Sequence, residues 1–251
     1  MNVKHFFFGL CLAFTAQAQT VTFQSPARQT SLVELYTSEA CSSCPPAESW
    51  LSELKSSPGL WTDFVPVAFH VNYWNHLGWR DKWSSQHFTD RQQNYGAAWG
   101  GATIYTPEFV VNGREWHNWM GMRGPPGPTS TPTGILTVSS ESTNRWRVTF
   151  APAASGTAAY EVNAVLLDSD VSSDVKGGEN KGRHLNHDFA ALALVNQPLS
   201  AKADGYAGEF TLDSGTNSAN GRLALAVWVS RAGELEPLQA VGGWLTKPAG
   251  N

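Results

Sequence analysis

An α/β domain followed by an antiparallel β-sandwich is the fold class this sequence predicts, and three observations carry it. A strand-like run leads straight into Cys41-Ser42-Ser43-Cys44, and a helical run and a second apolar strand follow. Further on, Thr106-Pro107 opens a short β-branched strand that ends in Asn112-Gly113. Beyond a Pro/Gly-rich stretch, short strand-like runs alternate with turn residues to the end of the chain. The expected organisation is a leader at 1–18, an α/β domain with a helical and aromatic insertion at 19–122, a linker at 123–133, and a β-rich domain at 134–251.

The elements follow in order. Lys4 and His5 precede an apolar run from Phe6 to Phe14, and Ala16-Gln17-Ala18 offers a small-x-small cleavage site. That order predicts a secretory signal peptide cut after Ala18. The apolar run falls short of the roughly 20 residues a membrane-spanning helix needs. A secreted or periplasmic location is therefore expected. Ser31 to Thr37 alternates apolar and polar residues and predicts a strand. Ala47 to Lys55 places Trp50, Leu51 and Leu54 on one helical face, and Pro58-Gly59 stops it. Phe64 to Tyr73 is nearly all apolar, as a buried parallel strand should be. A β–α–β order of this kind implies a right-handed crossover.

Trp74 to Ala102 is polar and aromatic, with helical turns expected around Ser84–Tyr95 and a glycine-rich exit. Asn112-Gly113 is a strong hairpin signal. The linker at 123–133 carries Gly124, Pro125, Pro126, Gly127, Pro128 and Pro132. After it, Ile135–Ser139, Arg145–Phe150, Tyr160–Asp168, Gly208–Leu212, Leu223–Ser230 and Gln239–Leu245 predict short strands spaced as in a small sandwich.

Composition narrows the function. Lys+Arg number 17 against 21 Asp+Glu, a formal charge of −4, so no basic surface for nucleic acid or anionic lipid is expected. Nothing after the leader reads as a membrane span. No cofactor-binding motif is present, and no cofactor is expected. Of the three cysteines, Cys11 lies in the leader, which leaves Cys41 and Cys44. Closing so small a ring removes little unfolded-state freedom. A pair that contributes little to stability points to chemistry.

A Cys-x-x-Cys between strand and helix has a physical purpose. The helix start favours a thiolate on the nearest sulfur. Such an interaction is worth about 0.3–1 kcal/mol, against about 1.4 kcal/mol per pKa unit. With only Ser42 and Ser43 between the thiols, a modest shift is expected. Cys41, exposed ahead of the helix, would attack, and Cys44 behind it would resolve. Pro45 biases Cys44 away from helical dihedrals, which predicts a helix that starts about one turn late. Thr106-Pro107 suits a cis-proline opposite the pair, where a free backbone edge could dock an extended substrate. Strand, Cys-x-x-Cys, helix, strand and X-Pro-strand together describe a thioredoxin-like fold.

The run Leu35-Tyr36-Thr37-Ser38-Glu39-Ala40 into Cys41-Ser42-Ser43-Cys44-Pro45-Pro46-Ala47-Glu48 resembles the opening motif of a family of secreted thioredoxin-like proteins, the domain of unknown function 1223 family. Phe69 to Trp74, Leu77 to Trp79, Arg91-Gln92, Tyr105 to Gly113 and Gly178 to Asp188 resemble it too. The resemblance covers nearly all of the chain after the leader and implies a thioredoxin-like fold without a settled activity. Glu39-Ala40 departs from it, where Gln-Gly is usual.

Two functional readings follow. In one, the Cys41–Cys44 pair exchanges disulfides with a protein thiol or redox partner, with Tyr105, Thr106, Pro107, Trp74 and Trp79 meeting the substrate. In the other, the same fold binds a partner or holds Cu(I) through Cys41, Cys44 and His184. His70, in an apolar strand, reads as a hydrogen-bonded core residue; His76, His87 and His117 read as surface or packing residues. His184 and His187 flank a glycine-rich loop that either closes over the site or caps the sandwich. Eight of eleven tryptophans fall between Trp50 and Trp119, as core packing or as an apolar groove that Trp116 would help to line. Asp81, Arg91 and Gln92 either orient the insertion or line a solvated helix face.

Overall fold

The computed structural model describes residues 20–121, 124–125, 127–142, 144–212 and 221–245; the predicted signal peptide at 1–18 lies outside them. The chain runs β1 (Thr22–Gln24), β2 (Ser31–Thr37), α1 (Pro45–Glu53), β3 (Phe64–His70), α2 (Gln86–Ala98), β4 (Glu108–Val111) and β5 (Arg114–Glu115). It continues β6 (Gly134–Ser140), β7 (Arg145–Pro152), β8 (Tyr160–Ser169), β9 (Val171–Asp174), β10 (His184–His187), β11 (Ala190–Lys202), β12 (Gly205–Thr211), β13 (Arg222–Arg231) and β14 (Pro237–Trp244).

β2 and β3 are parallel, from Ser31 opposite Phe64 to Thr37 opposite His70. α1 is the crossover between them. β4 returns antiparallel to β2, and β5 folds back on it through Asn112 and Gly113, both at positive φ as a tight hairpin requires. Every residue of β2 and β3 is buried, because this pair is covered on both faces. The polar residues of the alternating Ser31–Thr37 run do not face solvent. Glu34 instead points into protein and meets a buried cation.

The helix does not start late. Cys44 is its N-cap with helical dihedrals (φ −78°, ψ −36°), and Pro45 and Pro46 fill the first turn. Proline is tolerated there because first-turn amides have no partner within the helix. The second strand stops at His70 rather than Tyr73, where the chain turns into the insertion.

The β-rich half does not stand apart. β3 touches β11 at Ala68–Ala190, β11 pairs with β8, β8 with β13, and β13 with β14, so the central sheet runs on through C-terminal strands. A second layer is ordered β1, β6, β7, β12, β11; the long strand β11 joins the two, pairing with β8 from Ala190 to Leu199 across a bulge at Ala191–Ala193 and with β12 from Ser200 to Lys202. The C-terminal strands thus lie in two layers, one of which extends the sheet that holds β2 and β3. Strand periodicity divides the core. Ala224, Ala226 and Trp228 of β13 face the cluster shared with β2, β3 and α1, while Leu225, Val227 and Val229 face the second layer. Among the described residues no helix is long and apolar enough to cross a membrane.

Candidate functional site

Cys41 and Cys44 form a disulfide, with Cα atoms 5.5 Å apart, in the turn that joins β2 to α1. Cys41 was expected to be exposed; both cysteines are fully buried. Ser42 and Ser43 form the outer surface of the turn, and the loop between β9 and β10 is fastened across it. Both the amide and the hydroxyl of Ser42 donate to one oxygen of Glu179, at 2.9 and 2.7 Å. These two bonds hold the Glu179 carboxyl below its usual pKa. The Asn180 amide donates to the carbonyls of Glu39 (2.9 Å) and Cys41 (2.8 Å), and Arg183 in turn donates to Asn180. Gly178 permits this contact: it sits at φ +69°, and a Cβ there would come 2.7 Å from the Ala40 methyl. Of the two roles open to the loop between β9 and β10, the structure shows closure over the cysteine turn.

On the other side stands the cis Thr106-Pro107 bond. The Thr106 carbonyl oxygen lies 3.8 Å from Cys41 Sγ and accepts a 3.5 Å bond from the Ser43 hydroxyl. Trp74 Nε1 donates to Thr106 Oγ1 at 2.8 Å, and Gln92 donates to the Tyr105 carbonyl at 2.7 Å. Thr106, Pro107 and Trp74 are therefore grouped against the disulfide. Tyr105 is exposed, with its hydroxyl bonded to Glu115. Trp79 turns inward, donating to the buried Glu39 carboxylate at 2.6 Å. Trp116 packs on Trp50 and Phe109 and belongs to the core.

Behind the disulfide lies a buried polar cluster. Glu48 is one helical turn on from Cys44; it accepts from Thr37 Oγ1 at 2.6 Å and meets His187 Nδ1 at 2.5 Å. His187 Nε2 lies 3.2 Å from Glu39, and His70 Nδ1 lies 2.7 Å from Asp81, which also accepts the Glu39 and Trp83 amides. Burial opposes the charge on both imidazoles. It is outweighed by Glu48 and Glu39, which push His187 up to about 10, and by Asp81, which raises His70. Burial would likewise raise the Glu48 and Asp81 carboxyls, but His187 and His70 hold them below their usual range. Ligand atoms of Glu48, His70 and His187 all lie within 4.8 Å of one another.

The alternative metal set of Cys41, Cys44 and His184 is not assembled. β10 alternates exposed and buried residues, so His184 faces outward to Asp174 while His187 faces inward. Asp81, Arg91 and Gln92 are buried, which removes the solvated-face reading. Arg91 makes a two-pronged bond to Glu34, 2.9 Å at each contact, which Tyr95 also joins. Sequence reasoning passed over Glu34, Glu39 and Glu48. The usable signal was Glu48, four residues after Cys44 on the helix and so on the same side of it.

No curated protein matches the chain. Two solved structures share its fold. Protein AGR_C_4864 from Agrobacterium tumefaciens is 21% identical, with a TM-score of 0.60 over 89% of this chain and 97% of its own. HBP35 of Porphyromonas gingivalis is 13% identical, with a TM-score of 0.58 over 90% of this chain and 79% of its own. Residues 32–230, from β2 through the cysteine turn and the closing loop into β13, match the family described as "Protein of unknown function (DUF1223)". The chain belongs to the DUF1223 family.

Proposed function

We propose that this protein is an exported, thioredoxin-like thiol–disulfide oxidoreductase that works through Cys41 and Cys44. The observation that carries this reading is the position of the Cys41–Cys44 disulfide, at the start of α1 and facing the cis Thr106-Pro107 edge. In the reducing direction the Cys41 thiolate attacks a substrate disulfide and displaces one substrate thiolate. The Cys44 thiolate then attacks Cys41 Sγ and releases the second. The substrate gains two electrons, and the pair closes as the disulfide. Export is supported by the order of the first eighteen residues.

Local chemistry argues for a weak oxidant. Pro45 and Pro46 carry no N–H, and the Cys44 and Ala47 amides are used within the turn, on Cys41 O and Cys44 O. Few donors are left to stabilise a thiolate. A poorly stabilised thiolate favours the disulfide, so a potential nearer about −270 mV than about −120 mV is expected. The test is insulin reduction together with equilibration against glutathione. Turnover that Cys41→Ala abolishes supports exchange chemistry.

One observation favours a second reading, a disulfide that only holds the turn: both sulfurs are buried and Glu179 is fastened over them. A potential far below the glutathione range, with no turnover, would establish that reading.

A further inference from the structure

His70, Glu48 and His187 form an arrangement that thiol exchange does not use, and it holds a contradiction. His70 is fully buried in β3, its Nδ1 is engaged by Asp81, and its Nε2 has no hydrogen-bond partner. Buried polar atoms are nearly always paired, and an unpaired one calls for an explanation. Charge poses the same question. Glu39, Glu48 and Asp81 are all buried, and among the described residues the cationic groups bonded to them are the two imidazoles. The other contacts to these carboxylates are neutral: Thr37, Trp79 and the amides of Glu39 and Trp83. Protonating His70 to balance these carboxylates would bury an N–H with nothing among the described residues to accept it.

We propose that this cluster is a divalent transition-metal site, most suited to Zn2+, with His70 Nε2, His187 Nδ1 and a Glu48 carboxylate oxygen as ligands. Two nitrogens and one carboxylate form a donor set that zinc accepts. Tetrahedral ligands on zinc stand about 3.3 Å apart given its usual bond lengths; the three residues already bring ligand atoms within 4.8 Å of one another, and the 2.5 Å Glu48–His187 contact would open slightly on binding. The outer contacts fit as well. A metal-bound imidazole is normally oriented by a carboxylate on its other nitrogen, and both are so held here, His70 by Asp81 and His187 by Glu39. Thr37 holds the second Glu48 oxygen. The His70 and His187 rings come from β3 and β10 and lie 5.2 Å apart between centroids, steeply inclined to each other. A dication would carry the same charge as two protonated imidazoles and would give His70 Nε2 the partner it lacks. A fourth position would remain for water or another ligand.

The site stands apart from thiol exchange, since it needs neither cysteine as a ligand. The test uses the full chain, stripped of metal and kept oxidised so that Cys41 and Cys44 offer no thiolate, titrated with Zn2+ and with Co2+. One Co2+ per chain with the intense visible bands of a tetrahedral site is expected. Imidazole 15N spectra of the unaltered protein should move at His70 Nε2 and His187 Nδ1. Asp81→Asn, a positioning change, should weaken Zn2+ binding by about 10–100-fold while preserving stoichiometry. His70→Gln, checked for fold by the near-ultraviolet tryptophan signal, should weaken it further. The proposal is overturned if no stoichiometric binding occurs, or if the spectral change falls on exposed imidazoles such as His184. Loss of disulfide exchange alone would leave these readouts unmoved.

Discussion

At the residue scale, the buried carboxylates set the character of this protein. Glu34 is fully buried in β2 and accepts from Arg91, Tyr36 and Tyr95. Burial works against the Arg91 cation, but Glu34 and the two tyrosines outweigh it and leave it permanently charged. Arg91→Met strands the Glu34 charge and should cost about 3–5 kcal/mol in urea unfolding, most of which the double change with Glu34→Gln restores. Glu108 behaves differently. Burial pushes its carboxyl up to about 7; the Gln92 bond works against this, and nearby Glu115 and Glu34 add to it. Its folded pKa is above the unfolded value of 4.5, so the folded state holds the extra proton between them. Stability therefore falls as pH rises from 4.5 to about 7, by roughly 3 kcal/mol at most, and stays lower above that. Glu108→Gln should flatten this slope, measured as unfolding free energy at pH 5 and pH 8. Cys41, Cys44 and Thr106-Pro107 were legible as single residues because their chemistry is local. Glu34 and Glu39 were not, since a carboxylate in sequence gives no sign of which surface will cover it.

At the element scale, the cysteine turn is held by the loop from Val175 to Arg183, which comes from the far half of the chain. Glu179 is exposed, and its bonds to Ser42 close the outer side of the disulfide. Its negative charge also opposes an approaching thiolate, an effect that salt screens. Glu179→Ala is expected to speed reduction of the disulfide by dithiothreitol several-fold, more so at low ionic strength, without shifting the unfolding midpoint. Asn180 acts inside the same contact and is buried. Asn180→Ala removes the side-chain donor to the Glu39 carbonyl and one of two donors to the Cys41 carbonyl, and should cost about 1–3 kcal/mol in thermal or urea unfolding. The glycine-rich stretch from Gly177 to Gly182 was recognisable in sequence as a loop. That it lands on Ala40 and Ser42 was not, because no local pattern encodes a contact across some 140 residues.

At the scale of the whole molecule, the two halves share one sheet and one core. Phe189, Ala191, Ala224, Ala226, Trp228 and Ala240 fill the cluster that also holds Leu32, Leu35, Phe69 and Leu51. Each large side chain buried there contributes about 1.5–3 kcal/mol. A chain ending at Gly121 would expose that face of β2 and β3 and leave β3 without its neighbour β11. Such a fragment should show no cooperative thermal transition, whereas the full chain unfolds in one. The strands that follow the Pro/Gly-rich stretch extend the same sheet, as β8, β11 and β13 do beside β3.

Sequence alone determined what depends on near neighbours. The strand–cysteine–helix order, the Asn112-Gly113 hairpin and the existence of most later strands follow from periodicity and turn chemistry over a few residues. Tertiary structure alone decided what depends on burial. It put Glu39, Glu48, Asp81, His70 and His187 in one buried cluster behind the disulfide, sent His184 to the opposite face of the same strand, and covered Cys41. The physical reason is that charge, proton affinity and metal-binding capacity are set by the surrounding dielectric and by partners across the fold. Those partners come together only when β3, α1 and β10 pack.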